Sequence, residues 1–215
     1  MKLPFQARLL SAVVCGAALL ALSGTARAVP VSAWELGDVS GSSSESWSFG
    51  ELFTVGASNV VVTGLGALDV DKDGFVTNGG IAVGLYRESD QALLASTHVR
   101  SSDALVGNYR FSDIADVLLS ANTAYRVVAV SGDDLYNVSD STPIGVDPRI
   151  SWNSYAYCRT TALTFCDNFP GQERTWLGNF QLDAPAGSVP EPSSLALLAV
   201  GLLGVAARRR RQQQG

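Results

Sequence analysis

The stretch Ile-Ala-Val-Gly-Leu-Tyr at residues 81–86 decides the fold class of this chain. Its branched apolar side chains fall at every second position, which is the period of a β-strand with one buried face. Residues 123–131, which contain Tyr-Arg-Val-Val-Ala-Val, predict a central strand of the same type. Further candidate strands lie at residues 31–36, 47–55, 59–68, 92–99, 108–111, 149–157 and 175–182.

Polar turns separate these candidate strands. About eight or nine strands at roughly 10-residue spacing predict an all-β fold, a single antiparallel β-sandwich of the jelly-roll type. Residues 113–119 are the exception, because their weakly helical spacing predicts one turn or a loop. The predicted core is aromatic, and its contributors are Trp34, Trp47, Phe49, Phe53, Tyr125, Trp176 and Phe180.

The first 28 residues have the three parts of a secretion signal. Basic residues precede the apolar run 9–22, and Ala-Arg-Ala at 26–28 is a small-x-small cleavage site. We therefore expect a signal helix that is removed, so that the mature chain begins at Val29. An uncleaved signal anchor is the alternative, but an apolar run of about 14 residues is short beside the ~20 that a span needs.

The other end combines a proline motif, an apolar run and a basic cluster. The motif is Val-Pro-Glu-Pro-Ser-Ser at 189–194, and the apolar run 195–207 is predicted as a short helix. Prolines fix φ and lack a backbone donor, so the helix does not extend back through them. The basic cluster resists translocation and would stay in the cytoplasm. The residues concerned are Pro190, Glu191 and Pro192, then Arg208, Arg209, Arg210 and Arg211.

These three parts, in this order, closely resemble the PEP-CTERM sorting signal. The resemblance implies processing by an exosortase, a membrane transpeptidase-like enzyme of Gram-negative bacteria that make exopolysaccharide. It implies transient anchoring in the inner membrane, cleavage near the Pro-Glu-Pro, and then residence at the cell surface or in the extracellular matrix. A simple tail anchor is the alternative. The chain then divides into a signal peptide (1–28), a β-sandwich domain (29–188) and a sorting tail (189–215).

A second resemblance covers residues 35–140. Its motifs are the strand ends Phe-Thr-Val at 53–55, Val-Thr-Gly-Leu-Gly at 62–66, Val-Gly-Leu-Tyr at 83–86 and the run 119–127. They are similar to a β-sandwich domain of unknown function that recurs in bacterial surface proteins. That family carries no established catalytic residues to transfer to this chain.

The predicted domain is acidic. Seven of the 15 basic residues and one of the 20 acidic residues lie in the two signals, which leaves 8 basic and 19 acidic residues and a net charge near −11. An acidic surface argues against a nucleic-acid partner and against anionic lipid. It is typical of an extracellular protein, or of one that collects divalent cations.

The domain has two cysteines, Cys158 and Cys166. In an exported chain, a pair eight residues apart predicts a disulfide that closes a short loop. A metal-binding or redox-active pair is the alternative. The spacing is not that of a CxxC motif and no histidine is near, so we favour the disulfide.

The sharpest local motif is Asp-Val-Asp-Lys-Asp-Gly-Phe-Val at 69–76, which matches the first half of a calcium loop. Asp69, Asp71 and Asp73 would supply carboxylates, and Phe75 a backbone carbonyl. The twelfth position is Gly80, where a calcium loop of this type has a bidentate glutamate. Calcium is therefore one interpretation, and a solvated acidic turn is the other.

The sequence favours a protein without enzymatic activity. His98 is the only histidine, no serine lies in a nucleophile elbow, and no glycine-rich phosphate loop is present. Trp152, Tyr155 and Tyr157 are candidates for a sugar-stacking platform, although the same residues would also suit core packing.

We therefore predict a non-enzymatic surface or matrix protein, with exopolysaccharide as a candidate ligand. The alternatives are a carbohydrate-active enzyme on the same fold and a calcium-stabilised structural adhesin. The sequence does not name the ligand, because a fold does not imply one.

Overall fold

The alternating sequence folds into strands throughout the described part of the chain. The structure, a computed structural model, describes residues 29–42, 45–137, 143–168 and 175–184. Within these ranges it contains fourteen strands and no helix. Accordingly, none of the described residues belongs to a helix with the length and hydrophobicity of a membrane span.

The chain divides into two compact units. Residues 30–184 form one, and residues 1–29 and 185–215 form the other, of which only Val29 is described. The predicted signal helix, the apolar helix 195–207 and the arginine cluster therefore lie outside the described residues.

The strands vary in length from two to eleven residues. In chain order they are β1 (Val31–Ser32), β2 (Trp34–Glu35), β3 (Gly41–Ser42), β4 (Trp47–Val55), β5 (Val60–Leu68), β6 (Ile81–Arg87), β7 (Leu93–Val99), β8 (Ala104–Val106), β9 (Tyr109–Leu119), β10 (Ala124–Val130), β11 (Tyr136–Asn137), β12 (Gly145–Val146), β13 (Ile150–Arg159) and β14 (Gly178–Leu182).

Two five-stranded antiparallel sheets organise these strands. The first sheet has the order β1-β14-β5-β9-β8 and the second has the order β13-β4-β10-β6-β7. Two short pairs, β11-β3 and β12-β2, accompany them. The all-β, antiparallel prediction is confirmed. The chain repeatedly passes from one sheet to the other, which is the connectivity that a jelly-roll sandwich requires.

One aromatic core joins the two sheets. Phe53 of the second sheet stacks on Phe180 of the first, with ring centroids 4.5 Å apart. Trp34 meets both rings edge-on, at 6.5 and 5.3 Å, and also Trp176 at 5.5 Å. All four side chains are buried. Each buried ring of this size contributes about 1.5–3 kcal/mol through the hydrophobic effect, so this cluster is the main support of a sandwich-like fold.

The prediction of a turn or loop at residues 113–119 is wrong. These residues are the second half of β9, which pairs with β5. A register shift places residues 114–116 of β9 opposite Thr63 alone. The extra residues of this bulge break the period of two, and that is why the sequence there has helical spacing.

Candidate functional site

The acidic loop between β5 and β6 begins with a buried carboxylate. Asp69 is 2% exposed. Its Oδ2 accepts a hydrogen bond from Arg110 Nε at 2.6 Å and another from the backbone N–H of Gly74 at 3.1 Å. Gly74 has φ +107°, a conformation that favours glycine, and this allows the chain to fold back onto Asp69. The first predicted calcium ligand is thus already paired with a cation.

Arg110, on β9, links this loop to the loop between β7 and β8. Its Nη1 donates to the carbonyl oxygens of Ser101 at 2.7 Å and Asp103 at 3.1 Å. Ser101 Oγ in turn accepts the backbone N–H of Phe75 at 2.8 Å. The sequence did not identify Arg110, because the contact spans a separation of 41 residues from Asp69.

A second aspartate fixes the far side of the loop. The carboxylate of Asp134, 6% exposed, accepts the backbone N–H groups of Val76 at 2.7 Å and Thr77 at 2.9 Å. Asp134 therefore serves to hold the loop, a role that its place in the sequence does not reveal.

The acidic residues surround a cleft of about 260 Å³. Its aspartates are Asp69, Asp71, Asp73, Asp133 and Asp134. Asp71, Asp73 and Asp133 are exposed. Among the described residues, no three acidic, histidine or cysteine side chains converge as metal ligands. The calcium interpretation of 69–75 stays a prediction.

The three aromatic candidates lie on one side of β13. Trp152 pairs with Phe53, Tyr155 with Glu51, and Tyr157 with Phe49, so all three share the core-facing side of the second sheet. A register shift between Trp152 and Ser154 keeps Trp152 on that side. Tyr155 is 6% exposed, and the other two are partly buried. This placement favours core packing over a sugar platform.

A buried carboxylate supports these rings. Glu51, in β4, is fully buried and accepts hydrogen bonds from Trp152 Nε1 at 2.7 Å and from the backbone N–H of Trp176 at 3.0 Å. Trp176 has φ +52°, which is uncommon for an aromatic residue. The Tyr109 hydroxyl donates to its carbonyl oxygen at 2.8 Å. Glu51 and Tyr109 therefore hold both backbone groups of Trp176 in that conformation.

Burial raises the pKa of Tyr109 well above its usual value of 10.0, and the charge of Glu51 raises it further. A hydrogen bond involving Trp34 opposes the shift. The phenol therefore keeps its proton and remains a donor to Trp176. A charged residue within the apolar strand 47–55 was the signal in the sequence that could have located this network.

Cys158 and Cys166 form the expected disulfide, with their Cα atoms 5.5 Å apart. Cys158 belongs to β13, and Cys166 lies in the segment that follows this strand. His98, the only histidine, is exposed on β7 at the edge of the second sheet.

Residues 188–211 match the family model described as the PEP-CTERM protein-sorting motif. The chain carries a PEP-CTERM sorting motif. The match includes Pro190, Glu191 and Pro192, and it extends to the last of the four arginines. No curated protein matches the chain.

The PEP-CTERM motif implies an exported protein that an exosortase sorts to the cell envelope or surface. This agrees with the disulfide, since disulfides form and persist in oxidising compartments outside the cytoplasm. For the PEP-CTERM chain, the motif thus accounts for delivery, and residues 30–184 form the unit that the structure describes.

Proposed function

We propose that the mature domain is a non-enzymatic surface or matrix module of a Gram-negative bacterium, and that exopolysaccharide is its ligand. The observation that carries the proposal is the sorting motif at 188–211. A protein delivered by that route works outside the cell, where the polysaccharide of the producing bacterium is available to bind.

The internal charges of the domain support a structural rather than a catalytic role. Arg126 is fully buried and pairs with Glu88, while Asp69 pairs with Arg110 at 2.6 Å. Paired buried charges of this kind hold neighbouring segments in place. Each of these pairs joins residues far apart in the chain, as expected for a scaffold.

A cleft that is open to solvent is a better candidate for sugar binding than the aromatics of β13. The cleft measures about 490 Å³ and lies between the loops 75–80 and 100–102. It combines Phe75, whose partly buried ring also packs against the core, with the hydroxyl and amide groups of Thr77, Asn78, Ser101 and Ser102. Sugars stack their apolar faces on rings and hydrogen-bond at their edges.

The binding proposal is tested by titrating the mature protein, recovered from cells, with the polysaccharide of its producer. We expect saturable binding that weakens at least about tenfold in Phe75→Ala, or roughly 1.4 kcal/mol. Leu118→Ala, on the first sheet and 64% exposed, is the matched control and should bind like the unaltered protein. Absence of binding would reject polysaccharide as the ligand, and release of shortened chains would favour the carbohydrate-active alternative.

The sorting part of the proposal has a separate test, the intact mass of the protein recovered from cells. We expect a chain that begins at Val29 and lacks residues 195–215. Replacing Pro190, Glu191 and Pro192 by alanine should retain the tail, whereas alanine at Gln212 to Gln214 should have no effect. An unaltered protein that keeps residues 195–215 would contradict exosortase processing.

The calcium-stabilised adhesin is a second candidate, because five aspartates line the 260 Å³ cleft. In that case calcium would bind at the loop 69–75 and stiffen it, without any sugar ligand. A glycan-binding screen with and without calcium separates it from the first proposal.

A further inference from the structure

The outer side of the second sheet has a trough of small residues. The register places Ala156, Gly50, Val128, Gly84 and Ser96 side by side across β13, β4, β10, β6 and β7. Two of these five positions have no side chain at all. The trough therefore crosses the whole sheet on the side opposite the aromatic core.

Residues 160–168, which we term the strap, lie over part of this trough. Leu163 lies so close to Gly84 that a Cβ added there would be 2.8 Å from its Cδ2. The carbonyl oxygen of Thr164 accepts a hydrogen bond from Ser48 Oγ at 2.9 Å. The ring of Phe165 meets that of Tyr86 edge-on, with centroids 5.5 Å apart.

The strap also completes the surroundings of a buried cation. The side chain of Arg126, on β10, lies over Gly50 in the trough, and its guanidinium carbon is 4.0 Å from the centroid of the Phe165 ring. Its Nη1 donates to the carbonyl oxygen of Cys166. Glu88 pairs with the other side of the guanidinium. Displacing the strap would thus expose Arg126 to water on the strap's side and leave the Glu88 pair in place.

The disulfide links the strap to β13. Cys158 is at the end of β13 and Cys166 is inside the strap, 5% exposed. Outside the disulfide, hydrogen bonds also join Thr160 to Ser46 and Asn168 to Tyr157, near the two ends of the strap. Cys166 is the only buried residue among 160–168, and a segment with so little buried surface is typical of regions that open locally.

We propose that Cys158–Cys166 is a redox latch that closes the strap over the second sheet only after export. Closing oxidises the two thiols, which lose two protons and two electrons as the S–S bond forms. A disulfide of a thiol oxidoreductase accepts them and becomes two thiols. In the reduced chain the strap opens and the trough is accessible, while the aromatic core between the sheets remains intact.

Limited proteolysis of the folded mature protein tests the latch. Chymotrypsin cleaves after Phe165, within the strap, and trypsin cleaves after Arg159, at the bond where the strap begins. With dithiothreitol present, we expect cleavage at these two sites to become at least about tenfold faster, with core sites such as Tyr125 still protected. Equal rates with and without the reductant would overturn the proposal. So would an equal acceleration at every site, since the disulfide would then stabilise the domain as a whole.

Gly84→Val provides a test that keeps the disulfide intact. An added Cβ lies 2.8 Å from Leu163, 3.0 Å from Tyr86 and 3.1 Å from Leu93. The packing under the strap is therefore weaker while the disulfide still holds it, so the strap of the oxidised variant should be cleaved more slowly than that of the reduced variant. Gly145→Val is the matched control, because an added Cβ there meets nothing within 4 Å. Oxidised Gly84→Val whose strap is cleaved as fast as that of the reduced variant would show that packing, and not the disulfide, keeps the strap closed, and would overturn the proposal.

Discussion

Arg126 and Glu88 form a two-point ion pair across β10 and the end of β6. Arg126 Nε lies 3.0 Å from Glu88 Oε2, and Nη2 lies 2.5 Å from Oε1. The arginine side chain is 1% exposed and the glutamate side chain is 25% exposed. One partner is therefore inside the protein and the other reaches water, so the two should respond differently to substitution.

Glu88→Gln should lower the free energy of unfolding by about 2–3 kcal/mol. This is less than the roughly 3–5 kcal/mol for a fully buried pair, because water reaches the glutamate. Urea unfolding measures the change. Asp90→Asn is the matched control, since its partner Arg87 is 42% exposed and such a surface pair contributes under about 1 kcal/mol. A cost no larger than that of Asp90→Asn would show that the pair does not stabilise the fold.

Alkaline pH should destabilise the domain through Tyr109. Burial raises the pKa of this phenol above the value near 10 that it has in the unfolded chain. Its contribution is therefore complete below about pH 10 and is lost as the pH rises above that value, with a slope of up to about 1.4 kcal/mol per pH unit. Urea unfolding between about pH 9 and 11 measures this slope.

In Tyr109→Phe the slope should be smaller but still present, because burial also raises the pKa of Tyr86. The variant should in addition cost about 1–2 kcal/mol near neutral pH, since the carbonyl oxygen of Trp176 loses its donor. Identical slopes in the variant and the unaltered protein would contradict the assignment to Tyr109.

Arg110→Gln should cost about 2–4 kcal/mol, because it removes the cation from the buried carboxylate of Asp69. The loops at 69–76 and 101–103 should then exchange their backbone amide protons faster, which hydrogen exchange measures directly. Arg87→Gln is the control at an exposed pair. Unchanged protection of both loops would show that Arg110 does not organise them.

The alternation at 81–86 and 123–131 predicted the strands, because a period of two is a local property of the sequence. The aromatic core was predictable from the same alternation, because the side chains that point to the inside of both sheets pack against each other. The partners of Glu51 and Arg126 were not predictable in the same way. Each contact joins distant strands, and only the register of the sheets determines which side chain lies opposite which.

The β13 aromatics show a related limit. Trp152 and Tyr155 are three apart, so strict alternation would place them on opposite sides of a strand. The bulge between Trp152 and Ser154 returns both to the core side. A bulge depends on the neighbouring strand, and the sequence of β13 alone did not reveal it.

Calcium at 69–75 is the prediction that the described geometry leaves to experiment. If the loop binds calcium, the mature protein should melt at a higher temperature in millimolar calcium than with a chelator. Asp71→Asn together with Asp73→Asn should abolish that difference. This variant does not alter the pair between Asp69 and Arg110, so it should keep the stability that the unaltered protein has with the chelator. Asp90→Asn, outside the loop, should keep the calcium response. Coincident melting curves of the unaltered protein would reject calcium and leave an acidic turn that Arg110 and Asp134 hold in place.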